Sequence, residues 1–334
     1  MKLKLIAAAA LLAATGLTHA AVDSGAASGD GTFLASVSFG NASAGSSASF
    51  DLGLSYSQLA TWQVDINTTL SGGGTEWFRS WNLSTGQYSG TGLTASVIGN
   101  YGTVLTDFNA AAAGAGATST AQLQVMALDG EGTAVGSRGI YASGNAINAT
   151  TGAALAVTSS TNTVNNGLAG NSTVVGFFNN VNVSGTHATD ANGANLASAG
   201  SAAYFNNGTG MEKIAQTSMF DTNGQYNGQY ADGSTTFAGQ QQAVAFFNQV
   251  SSSLTGSAKA KLTAIGYDFD GDGVIEFDNN GATVGGTEYG LWTLQGDVLT
   301  FSVTAVPEPE TYAMLLAGLG LMGAIARRRN NKAA

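Results

Sequence analysis

The sequence predicts a mainly β protein: an antiparallel sandwich or jelly-roll-like body with a few short helices, followed by a single C-terminal hydrophobic helix. Several stretches alternate apolar and polar residues with a period of two, which is typical of half-buried strands. Glycine supplies 47 of 334 residues, and only 10% are charged, so turns are frequent and long helix-forming side chains are scarce. A largely apolar run near the C-terminus predicts the final helix.

The strand pattern is clearest in four stretches: TFLASVSF (32–39), ATWQVDIN (60–67), AQLQVMAL (121–128) and DVLTFSV (297–303). Glycine-rich segments lie between them, and SGGG at 71–74 predicts a turn. Many short strands joined by such turns favour an antiparallel body.

Helical periodicity is strongest in QQQAVAFFNQV (240–250), where Ala243, Phe246, Phe247 and Val250 would share one face. A weaker helical pattern occurs in GMEKIAQTSMF (210–220). We expect both helices to pack on the sheet. Residues 142–210 are rich in small polar side chains and predict irregular structure or short exposed strands.

Composition excludes several classes of function. The chain has no cysteine, so it has no disulfide, thiolate nucleophile or cysteine-based metal site. Residues 21–306 contain 19 acidic and 5 basic residues, a net charge of −14. A body this acidic repels phosphate backbones, which argues against nucleic-acid binding, and attracts cations.

The N-terminus predicts a secretory signal peptide over residues 1–20. Lys2 and Lys4 precede an apolar run that ends in small residues, and this order predicts cleavage by signal peptidase between Ala20 and Ala21. The β-rich body, residues 21–305, is therefore expected to fold outside the cytoplasm.

The C-terminal segment, residues 306–334, combines three features in order. Pro307, Glu308 and Pro309 come first, and they contain both prolines of the chain. Residues 312–326 are largely apolar and would form a helix of roughly 22 Å, a marginal membrane span. Three basic residues follow the apolar run: Arg327, Arg328 and Arg329. A cluster of arginines beside a membrane span is retained on the cytoplasmic side.

This order resembles the PEP-CTERM sorting signal. The resemblance implies processing by exosortase, a membrane enzyme of Gram-negative bacteria that usually also make exopolysaccharide. It also implies a transient stay in the inner membrane through the C-terminal helix, followed by transfer to the cell surface or the extracellular space.

The densest acidic segment, YDFDGDGVIEFDNNG (267–281), predicts a calcium loop between two strands. Its candidate ligands are Asp268, Asp270 and Asp272, the carbonyl of Val274, and Glu276. Their spacing resembles an EF-hand loop, in which alternate carboxylates converge on one hard cation. Asn279 stands where that loop has a bidentate Glu, and the alternative is a plain Asp-Gly hairpin turn.

Two further features of the sequence are candidates for binding or catalysis. Trp77 and Trp81 in EWFRSWNL could stack on sugar rings if exposed, although core packing of a strand explains them better. His187 is the only histidine left after removal of residues 1–20, and its polar surroundings predict a surface loop.

We therefore expect a non-catalytic, exosortase-processed surface or extracellular-matrix protein, associated with exopolysaccharide, biofilm or adhesion. The alternatives are a secreted carbohydrate-binding module and an extracellular hydrolase that uses a carboxylate pair about 5–10 Å apart. Calcium is the only cofactor that the sequence suggests.

Overall fold

A computed structural model describes residues 22–25, 29–41, 43–117, 121–129, 139–144, 158–160, 173–205, 240–249, 259–267, 290–304 and 316–322. Its strands are β1 Thr32–Asn41, β2 Ala44–Ser55, β3 Glu76–Asn82, β4 Gln87–Gly90, β5 Ser96–Val97, β6 Gln122–Asp129, β7 Gly139–Gly144, β8 Thr158–Ser160, β9 Ala194–Ser198, β10 Gln240–Gln249, β11 Lys259–Ala264, β12 Leu291–Gln295 and β13 Val298–Thr304. Its helices are α1 Gln58–Ser71, α2 Val104–Gly114 and α3 Thr173–Asn182, with a 3₁₀ turn at Gly185–Ala188.

The strands form one continuous path of antiparallel pairs in the order β5-β4-β3-β13-β12-β10-β7-β6-β1-β2-β9, with β11 and β8 branching from β10. Two side chains link distant parts of this path. The Trp81 Nε1 on β3 donates to the Leu52 carbonyl on β2 at 3.0 Å, and the Trp292 Nε1 on β12 donates to the Tyr141 hydroxyl on β7 at 2.8 Å. The β3-β13-β12 arm therefore faces the β7-β6-β1-β2 arm across a shared core. The predicted mainly β, antiparallel body is confirmed.

Strands β1, β6 and β13 lie where the alternating pattern predicted them. The prediction of half-buried strands is wrong for β1, because both of its faces are buried. Phe33, Val37 and Phe39 enter the main core, whereas Ser36 and Ser38 are buried on the opposite face.

The stretch at 60–67 was predicted as a strand and is helical in α1. Leu59, Trp62, Ile66 and Leu70 form its buried face, a spacing that suits a helix, while Val64 is 64% exposed. The Asp30 carboxylate accepts a hydrogen bond from the Ser57 amide at the start of α1. The predicted turn follows its end, where Gly73 adopts a φ of 90° that disfavours other residues.

Two further predictions of secondary structure are wrong. The stretch at 240–250 was predicted as a helix, but Gln240–Gln249 is strand β10, which pairs with β7, β11 and β12. Pairing on both edges supplies backbone hydrogen bonds that override the local helical pattern. The second error concerns part of the region predicted as irregular or as short exposed strands: β8 and β9 are short strands there, but Thr173–Asn182 is helix α3, with Val175, Phe178 and Val181 buried.

Near the C-terminus, residues 316–322 are helical and exposed. This short stretch does not confirm the predicted helix at 312–326. In the part of the chain that the structure describes, no helix is both long and apolar enough to cross a membrane. The predicted helix at 210–220 lies outside the described residues.

Candidate functional site

Five aromatic residues from α1, β3, β12 and β13 form the centre of the core, which we term the tryptophan cluster: Trp62, Trp77, Trp81, Trp292 and Phe301. The Trp62 ring stacks on the Phe301 ring with centroids 5.2 Å apart and an interplanar angle of 15°. Trp62 also lies within 6.4 Å of each of the other three indole rings, measured between centroids. The cluster therefore joins helix α1 to three neighbouring strands.

Both tryptophans considered for sugar stacking belong to this cluster. Trp77 is 1% exposed and Trp81 is 0% exposed, because the alternation of β3 points them inward. A sugar ring needs an accessible indole face, so the core interpretation is confirmed and the sugar-stacking hypothesis is wrong for this pair.

Arg79 shares the inward face of β3 with these tryptophans. Its guanidinium carbon lies 4.2 Å from the Trp77 ring centroid, and its Nη2 lies 3.1 Å from the Asp65 carboxylate. It also donates to the Thr91 carbonyl at 3.0 Å. Arg79 is 5% exposed and already paired, so it acts as a structural residue at the edge of the cluster.

A row of polar side chains crosses four neighbouring strands on the opposite face of β1 and β2. This polar row consists of Asn195 on β9, Ser49 on β2, Ser36 on β1 and Gln124 on β6, which are direct cross-strand partners. All four are at most 1% exposed. The Ser36 and Ser49 hydroxyls are 2.8 Å apart and hydrogen bonded to each other.

Several buried atoms in and near the polar row have no hydrogen-bond partner. Both side-chain polar atoms of Asn195, the Gln124 Oε1 and the Ser38 Oγ are in this group. An unpartnered buried atom of this kind costs about 1–3 kcal/mol, which lowers the stabilisation that burial of this face provides.

His187 lies beside this row and is 2% exposed, so the prediction of a surface position is wrong. Gly193 runs so close to the 3₁₀ turn that an added Cβ would lie 2.4 Å from the His187 amide nitrogen. Burial lowers the pKa of His187 to about 4, against a hydrogen bond with the Ser49 backbone that raises it. The ring is therefore neutral near pH 7, and its Nε2 has no partner.

Asp51 is a buried carboxyl that sequence reasoning missed. Burial raises its pKa to about 7, and a hydrogen bond from the Gly53 amide to Oδ1, at 2.8 Å, lowers it. This bond closes a local turn where the β1–β2 register shifts and where Gly53 has a φ of 65°. The signal available in the sequence was an aspartate two residues before glycine within an apolar alternation, which indicates a turn inside a strand.

The candidate calcium ligands Asp268, Asp270, Asp272, Val274 and Glu276 lie outside the described residues. The two ends of their segment are described and lie together. The Gly290 amide donates to the Ile265 carbonyl at 2.7 Å. Gln63 on α1 donates to the Gly266 carbonyl at 2.6 Å and accepts from its amide at 3.3 Å. Gly266, which directly precedes the acidic segment, is therefore held beside helix α1.

The described residues contain no group of three or more histidine, aspartate or glutamate side chains that could hold a metal ion. The residues proposed for processing also lie outside the described ranges: Ala20, Ala21, Pro307, Glu308, Pro309, Arg327, Arg328 and Arg329. What the structure does describe is the strand that leads into the C-terminal segment. β13 ends at Thr304, paired with Glu76.

Residues 305–330 match the family model of the PEP-CTERM protein-sorting motif. No curated protein and no solved structure matches the chain. The predicted sorting signal is therefore confirmed, and it implies an exported protein that exosortase processes at the membrane before release to the surface. The match covers only this C-terminal segment.

Proposed function

We propose that the mature body is a non-catalytic surface or extracellular-matrix protein associated with exopolysaccharide, biofilm or adhesion. The observation that carries the proposal is the sorting motif at 305–330, which begins directly after the last core strand. A body delivered by this route works in a hydrated extracellular layer.

The chemistry of the body supports the same proposal. Residues 21–306 carry a net charge of −14, which favours solubility and contact with cations rather than with polyanions. The tryptophan cluster serves packing, and Asp51 and His187 are both buried. The tryptophan cluster and the turn at Asp51 therefore have structural explanations that involve no substrate.

The first test compares producing cells with and without the exosortase gene. We expect the intact mass to show loss of residues beyond Pro-Glu-Pro only when the enzyme is present, with the body recovered from the surface or matrix fraction. A Pro307→Ala, Pro309→Ala double variant should behave like the enzyme-deficient strain. An unchanged C-terminus in both strains would make the segment an ordinary anchor and remove the main support for the proposal.

Calcium binding at 268–276 is proposed as a second property of the body. Calcium that binds only the folded state at 100 times its dissociation constant raises the free energy of unfolding by about 2.7 kcal/mol. We expect calcium, and not magnesium, to raise the urea midpoint of the chelator-treated mature protein. The double variant Asp268→Asn, Asp270→Asn should lose this response; equal midpoints with and without calcium would favour the plain hairpin turn.

A further inference from the structure

Strand β13 is part of the core although it is the last strand before the sorting motif. It lies between β3 and β12 in the strand order. Leu299, Phe301 and Val303 are at most 1% exposed, and Phe301 stacks on Trp62. The body therefore cannot complete the tryptophan cluster until β13 is in place.

The chain length between this strand and the motif is short. β13 ends at Thr304, and the matched motif starts at residue 305. Consecutive residues span at most about 3.6 Å each, so the three steps of chain from Thr304 to Pro307 can cover no more than about 11 Å. That is about the diameter of one helix with its side chains. An enzyme that binds Pro-Glu-Pro must therefore contact the edge of the folded body.

This edge, which we term the rim, consists of Thr304, the first residues of the two strands beside it, Glu76 and Leu291, and Thr75, which precedes β3. Thr304 pairs with Glu76 on β3, while Leu291 starts β12 and pairs with Ser302. Gly290 is fixed by its 2.7 Å hydrogen bond to Ile265. Pro-Glu-Pro can extend farther from the folded body only if the end of β13, including the buried Val303, leaves the sheet.

We propose that the rim is the surface that the membrane-embedded processing enzyme meets, and that folded β13 limits the access of this enzyme to Pro-Glu-Pro. The proposal rests on the sorting function above. Its consequence is that the rate of processing depends on the number of residues between Thr304 and Pro307.

A spacer tests this consequence in producing cells. Six Gly-Ser residues are inserted between Thr304 and Ala305, and the same spacer between Gly72 and Gly73 serves as the matched control. That turn is exposed, and a Cβ at Gly73 would meet nothing within 4 Å. In a pulse-chase followed by mass, we expect the first spacer to speed processing about tenfold, equivalent to ~1.4 kcal/mol, and the control to match wild type.

Two substitutions in β13 provide an independent readout at constant chain length. Val303→Ser loosens the end beside the motif and should also speed processing. Val298→Ser changes a residue at the opposite end of the strand, which is 36% exposed, and should leave the rate unchanged.

Unchanged or slower processing with the spacer after Thr304 overturns the proposal. The sorting function is judged separately, from wild type alone with and without exosortase. A wild-type protein that is processed at a rate insensitive to the spacer therefore contradicts the rim and leaves the sorting intact.

Discussion

The two faces of strand β1 are both buried, yet they differ in chemistry. One face contributes Phe33, Val37 and Phe39 to the main core. The other contributes Ser36 and Ser38 to a buried region where several polar atoms have no hydrogen-bond partner within the protein. Alternation therefore identifies which residues share a face, but it does not show whether the polar face meets water. In β3, by contrast, the outward residues Phe78 and Ser80 are partly exposed, as a period of two predicts.

The largest effect is expected on the aromatic side of this comparison. Trp62→Ala removes the ring that joins α1 to the other members of the tryptophan cluster, and truncations of this kind cost about 3–5 kcal/mol. We expect the urea midpoint of the mature body to fall accordingly. Val64→Ala on the exposed side of the same helix should change stability by less than about 0.5 kcal/mol. Similar losses for both variants would contradict the central role of the cluster.

The contrast between these faces also explains what could be predicted. β1, β6 and β13 were predicted because each alternates over its whole length. α1 was missed because Trp62, Val64 and Ile66 also alternate, and the residues that reveal a helical face, Leu59 and Leu70, lie outside that stretch.

Long-range pairing decided the remaining cases. β10 is a strand because of partners about 50 to 100 residues away, such as β12 and β7, which local periodicity does not contain. His187 is buried because the chain returns beside it at Gly193. The sorting signal, in contrast, was predictable because its features are contiguous in the sequence.

The second prediction concerns pH and the polar face. The pKa of Asp51 rises from an ordinary 3.8 to about 7, so the folded state holds a proton that the unfolded state releases between these values. The contribution of this group to the free energy of unfolding is fully present below pH 3.8. It is lost as the pH rises to 7, and the total loss is on the order of 4 kcal/mol. Asp51→Asn should therefore gain stability relative to wild type across this range.

His187 gives the opposite slope. Its pKa falls from 6.5 to about 4, so the folded state binds fewer protons and loses stability as the pH falls from 6.5 to 4. His187→Gln should gain stability relative to wild type as the pH falls. Urea midpoints from pH 4 to 8 for both variants provide the measurement. Parallel pH profiles for the two variants and wild type would show that neither group is buried as described.

The smallest effect is expected within the polar row, and it decides whether this face stabilises the fold through its hydroxyl pair. Ser36→Ala or Ser49→Ala leaves the other hydroxyl buried and unpaired, at a cost of about 1–3 kcal/mol. The double variant removes both polar groups together, so it should cost less than the sum of the single variants, and the coupling should exceed about 0.5 kcal/mol. A double-mutant cycle on urea midpoints measures this term. Additive losses would mean that the two hydroxyls do not depend on each other, and the face would then be held by its apolar neighbours alone.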